Sequence, residues 1–142
     1  MENDEEESVP TRLNINKSDR EIYDKLLEKD GEFAGKENKD VFLLAMVIGY
    51  LHKADIELQI KEGFIRTEYL KDQDNSIIKS IAVAKTGTLD ILLNKKKIYS
   101  IAEEYASGGI KLLKDMVYGG SYGSFSKKLE SELIETFEKF IE

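Results

Sequence analysis

Lys39–Lys53, KDVFLLAMVIGYLHK, is the most apolar segment of the chain. From Val41 to Leu51 there is no charge, and Tyr50 carries the one hydroxyl. Asn38 or Asp40 supplies an N-cap, a side-chain oxygen that accepts from backbone N–H groups the first turn leaves unpaired. The run is far shorter than the roughly 20 residues that cross a bilayer. A helix apolar nearly all round, in a chain without membrane spans, is one covered on most sides by its own protein. The expectation is a mainly α fold: a compact domain of about six helices around this central apolar helix, with room for one short β-hairpin. Gly49 inside it costs about 1 kcal/mol against Ala, so another helix is expected to approach closely there.

The chain has 142 residues, no cysteine and a net charge of −7. That length suits one domain that needs no disulfide or metal to fold. Without cysteine there are no disulfides or thiolate metal sites. The N-terminal MENDEEESVP has no apolar core and is not a secretory signal, so a cytoplasmic location is expected. Five acidic residues, Glu2, Asp4, Glu5, Glu6 and Glu7, lie among the first seven, which leaves −2 for the rest. Residues 1–17 read as a disordered acidic tail. Such a tail is either a solubilising segment or one that mimics nucleic acid or docks on a basic partner.

Residues 18–118 read as the helical domain. Ser18 with Glu21 forms a capping box, and Ile22, Tyr23, Leu26 and Leu27 make a stripe that ends at Gly31. Phe33 is expected to staple the entrance of the central helix. His52, the single histidine, reads as a capping cation at a helix end rather than a ligand or base. Ile56, Leu58 and Ile60 alternate with polar residues, and Phe64–Tyr69 favours β structure, so Ala54–Lys71 is either a short hairpin or an irregular loop. Further helices are expected over 76–85, over 89–94 with Leu89, Leu92 and Leu93 buried, and over 97–118, the last interrupted at Ser107-Gly108-Gly109. Residues 119–123, GGSYG, form a glycine-rich joint. Residues 124–142 form a C-terminal amphipathic helix. Its apolar stripe, Phe125, Leu129, Leu133, Phe137 and Phe140, is the candidate partner interface and the candidate homodimer contact.

The chemistry is sparse. No Walker loop, GxGxxG, HExxH or Ser-His-Asp order is present. Glu103 and Glu104 are adjacent and point about 100° apart on a helix, which is wrong for a shared proton. Asp55, Asp72, Asp74 and Asp90 fall at loops or caps, where Asp is expected without a metal. The sequence therefore points to no enzyme, no cofactor and no metal. Lys95, Lys96 and Lys97 are the one basic run and the candidate phosphate or nucleic-acid contact, with Lys111 or Lys114 as its extension. A globally acidic chain is a poor non-specific DNA binder.

DVFLLAMVIGY, IIKSIAVAKTGTLDIL and above all IAEEYASGGIKLL resemble the small proteins associated with DNA phosphorothioation (Dnd) systems, the Dnd-associated protein 4 group. The resemblance spans Ile22 to Val117 and leaves the acidic tail and final helix outside. It implies a role beside a bacterial DNA-sulfur modification or restriction machinery that defends against phage. The expected partners are other proteins of that cluster, and DNA is the alternative. It implies no catalytic residues, and none are carried over.

Overall fold

A computed structural model describes residues 9–119 and 133–135. Strand β1 (Arg12–Asn16) leads through a 3-10 turn into helix α1 (Arg20–Leu27). Helix α2 (Asn38–Leu51), strand β2 (Lys61–Arg66), helix α3 (Asp72–Thr86) and helix α4 (Lys95–Tyr118) follow. Mainly α architecture with one small antiparallel sheet is thus observed.

The apolar run becomes α2, and beyond Asp40 none of its residues is exposed. Its N-cap is Glu37 rather than Asn38 or Asp40; Asp40 instead accepts from the Glu37 backbone N–H at 2.9 Å. The helix packs most extensively on α4. Where they cross, both backbones are bare. A Cβ on Gly49 would stand 2.0 Å from the Tyr105 carbonyl oxygen, and one on Gly109 would stand 1.6 Å from that of Ala45. Only glycine admits that approach, so Gly49 does face a second helix as its cost suggested. Ser107-Gly108-Gly109 does not interrupt α4, which runs unbroken for 24 residues. Packing repays the glycines' weak helix propensity there. Since α4 also touches α1, α3, β1 and the 3-10 turn at 89–93, the centre is the α2–α4 pair rather than α2 alone.

The tail boundary needs correction. Residues 12–16 are an ordered strand, with Leu13 and Ile15 in the core. Their alternation buries two large aliphatic side chains, enough to order a short segment against α4. The sheet is also not a hairpin within 54–71. β2 pairs with β1, with Leu13 opposite Ile65 and Arg12 opposite Arg66, and a bulge falls between Leu13 and Asn14. Residues 56–60 are irregular because their backbone is engaged elsewhere: Ile56 N–H donates to the Glu104 carbonyl at 2.9 Å, and the Ile60 carbonyl accepts from Lys17 N–H at 2.7 Å. Ser18 does not cap α1 either. It sits inside the 3-10 turn, and the neighbouring Asp19 turns inward. The predicted joint at 119–123 and the final helix fall almost wholly outside the described residues; Gly119 and the helical residues 133–135 are the exceptions.

Candidate interaction surfaces

Polar groups inside this protein tie its elements together. Asp19, nearly fully buried, receives Lys111 Nζ at 3.2 Å on each oxygen, and Lys111 also donates to the Ser107 carbonyl at 3.0 Å. That pins the start of α1 to α4 and pairs Lys111, whose side chain is 42% exposed, with an acid. Glu103, also buried, accepts from Asn14 N–H at 2.8 Å and from the Asn14 amide at 3.2 Å, which fastens the β1 bulge to α4. Burial pushes its carboxyl above the usual glutamate range, against the Asn14 hydrogen bonds. Lys39 Nζ meets Asp74 at 2.6 Å, and Asp74 also accepts from Lys71 N–H at 2.9 Å, so one carboxylate caps α3 and holds α2. Burial raises Asp74, but Lys39 and the Lys71 N–H outweigh it and hold the carboxyl below the ordinary aspartate range. Tyr23 Oη and Ser107 Oγ are buried and have no hydrogen-bond partner among the described residues. Among the described residues no group of three His, Cys, Asp or Glu side chains could hold a metal ion.

Exposed apolar surface collects after α3. Gly87, at φ 76°, ends that helix with its N–H on the Val83 carbonyl at 2.7 Å. Thr88 Oγ1 then accepts from Asp90 N–H at 3.1 Å and starts a 3-10 segment, Leu89–Leu93. At the far end Asn94 Oδ1 accepts from Lys97 N–H at 3.0 Å and starts α4. Thr88 caps the start of the turn and Asn94 the start of α4, so this knuckle lies between two side-chain caps. Three residues per turn give this segment a narrow buried side, and only Ile91 occupies it. Leu89 is 70% and Leu93 90% exposed, which overturns the expectation that Leu89, Leu92 and Leu93 are buried. The expectation assumed α-helical spacing; the tighter winding sends the leucines outward. Lys95, Lys96 and Lys97 are exposed on the first turn of α4, directly beside the knuckle. Lys114 lies 17 residues further along the same helix, about 25 Å away by helical rise, so the lysines do not form one patch.

A groove of about 460 Å³ opens between the start of α2 and β2, its walls including Lys36, Glu37, Lys39, Phe64, Arg66 and Tyr69. Tyr69 is 61% exposed. No sequence signal marked it, because its residues come from two stretches of the chain, 36–39 and 64–69. Of the expected C-terminal interface, Leu133 is helical and 39% exposed, and Phe125, Leu129, Phe137 and Phe140 lie outside the described residues. His52 is the C-terminal residue of α2's cap, in keeping with a helix-end role. No described helix is long and apolar enough to cross a membrane.

The family model for DNA sulphur modification system-associated protein 4 matches residues 12–139. The chain belongs to that family. The match starts at β1 and takes in nearly all of the expected C-terminal helix, so the family extends beyond Ile22–Val117 at both ends. No curated protein and no solved structure matches the chain.

Proposed function

We propose that this member of the DNA sulphur modification system-associated protein 4 family is a non-enzymatic accessory component of a bacterial modification or restriction system. On this reading it works in the cytoplasm against phage, through contacts with other proteins of its gene cluster. The family match supports the setting. The observation that supports the mode of action is the knuckle: two leucines, 70% and 90% exposed, on a turn between the Thr88 and Asn94 caps. Exposed apolar patches on a folded surface mark sites of contact with partners. The test is co-expression of the tagged protein with the sulphur modification proteins encoded beside it. The intact chain is expected to retain one of them on purification, and Leu89→Asp with Leu93→Asp is expected to release it while the chain stays folded. Retention unaffected by the double change removes the knuckle from the reading.

A second reading, assembly with its own copy through the C-terminal helix, draws support from the exposure of Leu133 and Ile134. The family match now runs through that helix, so it no longer stands outside the family's common core. Light scattering on the intact protein decides this reading: a monomer at high micromolar concentration ends it.

A further inference from the structure

We propose that the groove between the start of α2 and β2 is a docking site for an extended, carboxylate-rich peptide, and that its occupant is this chain's own segment Glu2–Glu7. The inference is independent of the leucine knuckle.

The groove's chemistry suits such a ligand. Lys36 and Arg66 bring cationic groups to its walls, and Phe64 and Tyr69 provide aromatic surface for an extended backbone. Lys39 is engaged by Asp74, and Glu37 is the one carboxylate among the groove's walls. Just beyond the groove, β1 and β2 set Arg12 directly opposite Arg66. The Arg12 side chain lies over Gly63, so the two guanidinium groups bring separate positive charges to this end of the sheet. Glu68, 3.6 Å from Arg66, is a partial and well-exposed offset. A row of carboxylates over this end of the sheet would pair with both guanidinium groups.

Connectivity brings such a row to the same place. Pro10 is fastened to the groove's edge: its carbonyl accepts from Thr67 Oγ1 at 3.0 Å, and the Thr11 carbonyl accepts from Thr67 N–H at 3.0 Å. Thr67 follows Arg66 and stands two residues before Tyr69. Glu7 is three residues from Pro10, a reach of about 10 Å when extended. Residues 5–7 are thus tethered three to five residues, about 10–17 Å of extended chain, from the groove's edge. A ligand tethered this closely has a millimolar or higher effective concentration, so weak charge pairs suffice to populate the docked form.

The experiment uses the full chain in two forms, unaltered and with Glu5→Lys, Glu6→Lys and Glu7→Lys, compared by backbone amide resonances. The expected result is displacement at Lys36, Phe64, Arg66 and Tyr69 between the two forms, shrinking as salt is raised. Adding a free peptide of residues 1–8 to the charge-reversed chain is expected to move those resonances back toward the unaltered positions. Lys36→Glu, a change at an exposed loop residue, is expected to abolish both effects. Superposable resonances at these four residues in the two forms overturn the proposal. So does a displacement that salt does not reduce, or a peptide that perturbs only other parts of the surface.

Discussion

Gly109 shows what one missing Cβ does in this protein. An alanine at an ordinary helical position would gain about 1 kcal/mol of propensity over glycine. Here its methyl would stand 1.6 Å from the Ala45 carbonyl oxygen and 2.7 Å from the Gly49 nitrogen, both backbone atoms that cannot rotate away. Gly109→Ala is therefore expected to destabilise by about 3 kcal/mol or more, the upper range of overpacking, read as a lowered midpoint in urea. The sequence signalled half of this. Gly49 inside an apolar run implied a close neighbour, whereas Ser107-Gly108-Gly109 looked like a break, because glycine is the choice both for a turn and for a bare contact. Glu103 was less legible still. Beside Glu104 it read only as half of a pair turned the wrong way to share a proton, and its burial depends on a bulge 89 residues away. Its folded carboxyl titrates above that of the unfolded chain. The stability it contributes is then complete below the ordinary glutamate range and is lost as pH rises through the folded value. Glu103→Gln keeps an acceptor for Asn14 and removes the charge. The variant should melt higher than the parent near neutral pH, and the two curves should converge in acid. A gap that stays constant with pH would contradict the burial argument.

At the scale of elements, β1 separates what local pattern reveals from what it hides. Leu13 and Ile15 alternate as a strand should, but five residues between an acidic segment and a polar turn carry too little local signal to outweigh the composition around them. Their partner lies at 61–66, two helices later in the chain. Pairing at that separation is decided by the core on which both strands pack, not by either strand. Helices α2 and α4 were readable because their apolar patterns are long enough to specify an element alone. The knuckle was read as helix because five residues fit either winding. These contrasts set opposite expectations for two truncations. A chain beginning at Val9 should melt within about 0.5 kcal/mol of the full chain, as surface changes do. One beginning at Asn16 loses Leu13 and Ile15, each worth about 1.5–3 kcal/mol buried, and leaves Glu103 without Asn14. Loss of about 3–6 kcal/mol follows, enough to unfold a domain of ordinary stability. Equal melting of the two truncated chains would show that β1 is dispensable.

For the whole molecule, the open question is whether the setting beside DNA modification means contact with DNA. Affinity for duplex DNA grows with the number of phosphates neutralised, and each contributes nearly one unit to the salt slope. The protein has a net charge of −7, with five acidic residues among its first seven. Lys95, Lys96 and Lys97 are consecutive on a helix, so they fan apart by about 100° each and cannot follow one phosphate row together. Lys111 is held by Asp19, and Lys114 belongs to a distant turn of α4. Two or three contacts are the most this face offers. The expected outcome is no gel shift of plain duplex at physiological ionic strength. Any retention at low salt should vanish with a slope of about −2 to −3. Lys95→Glu, Lys96→Glu and Lys97→Glu together should leave the physiological result unchanged. Sub-micromolar binding at physiological salt, abolished by that triple change, would instead make the start of α4 a nucleic-acid surface and displace the protein-partner reading.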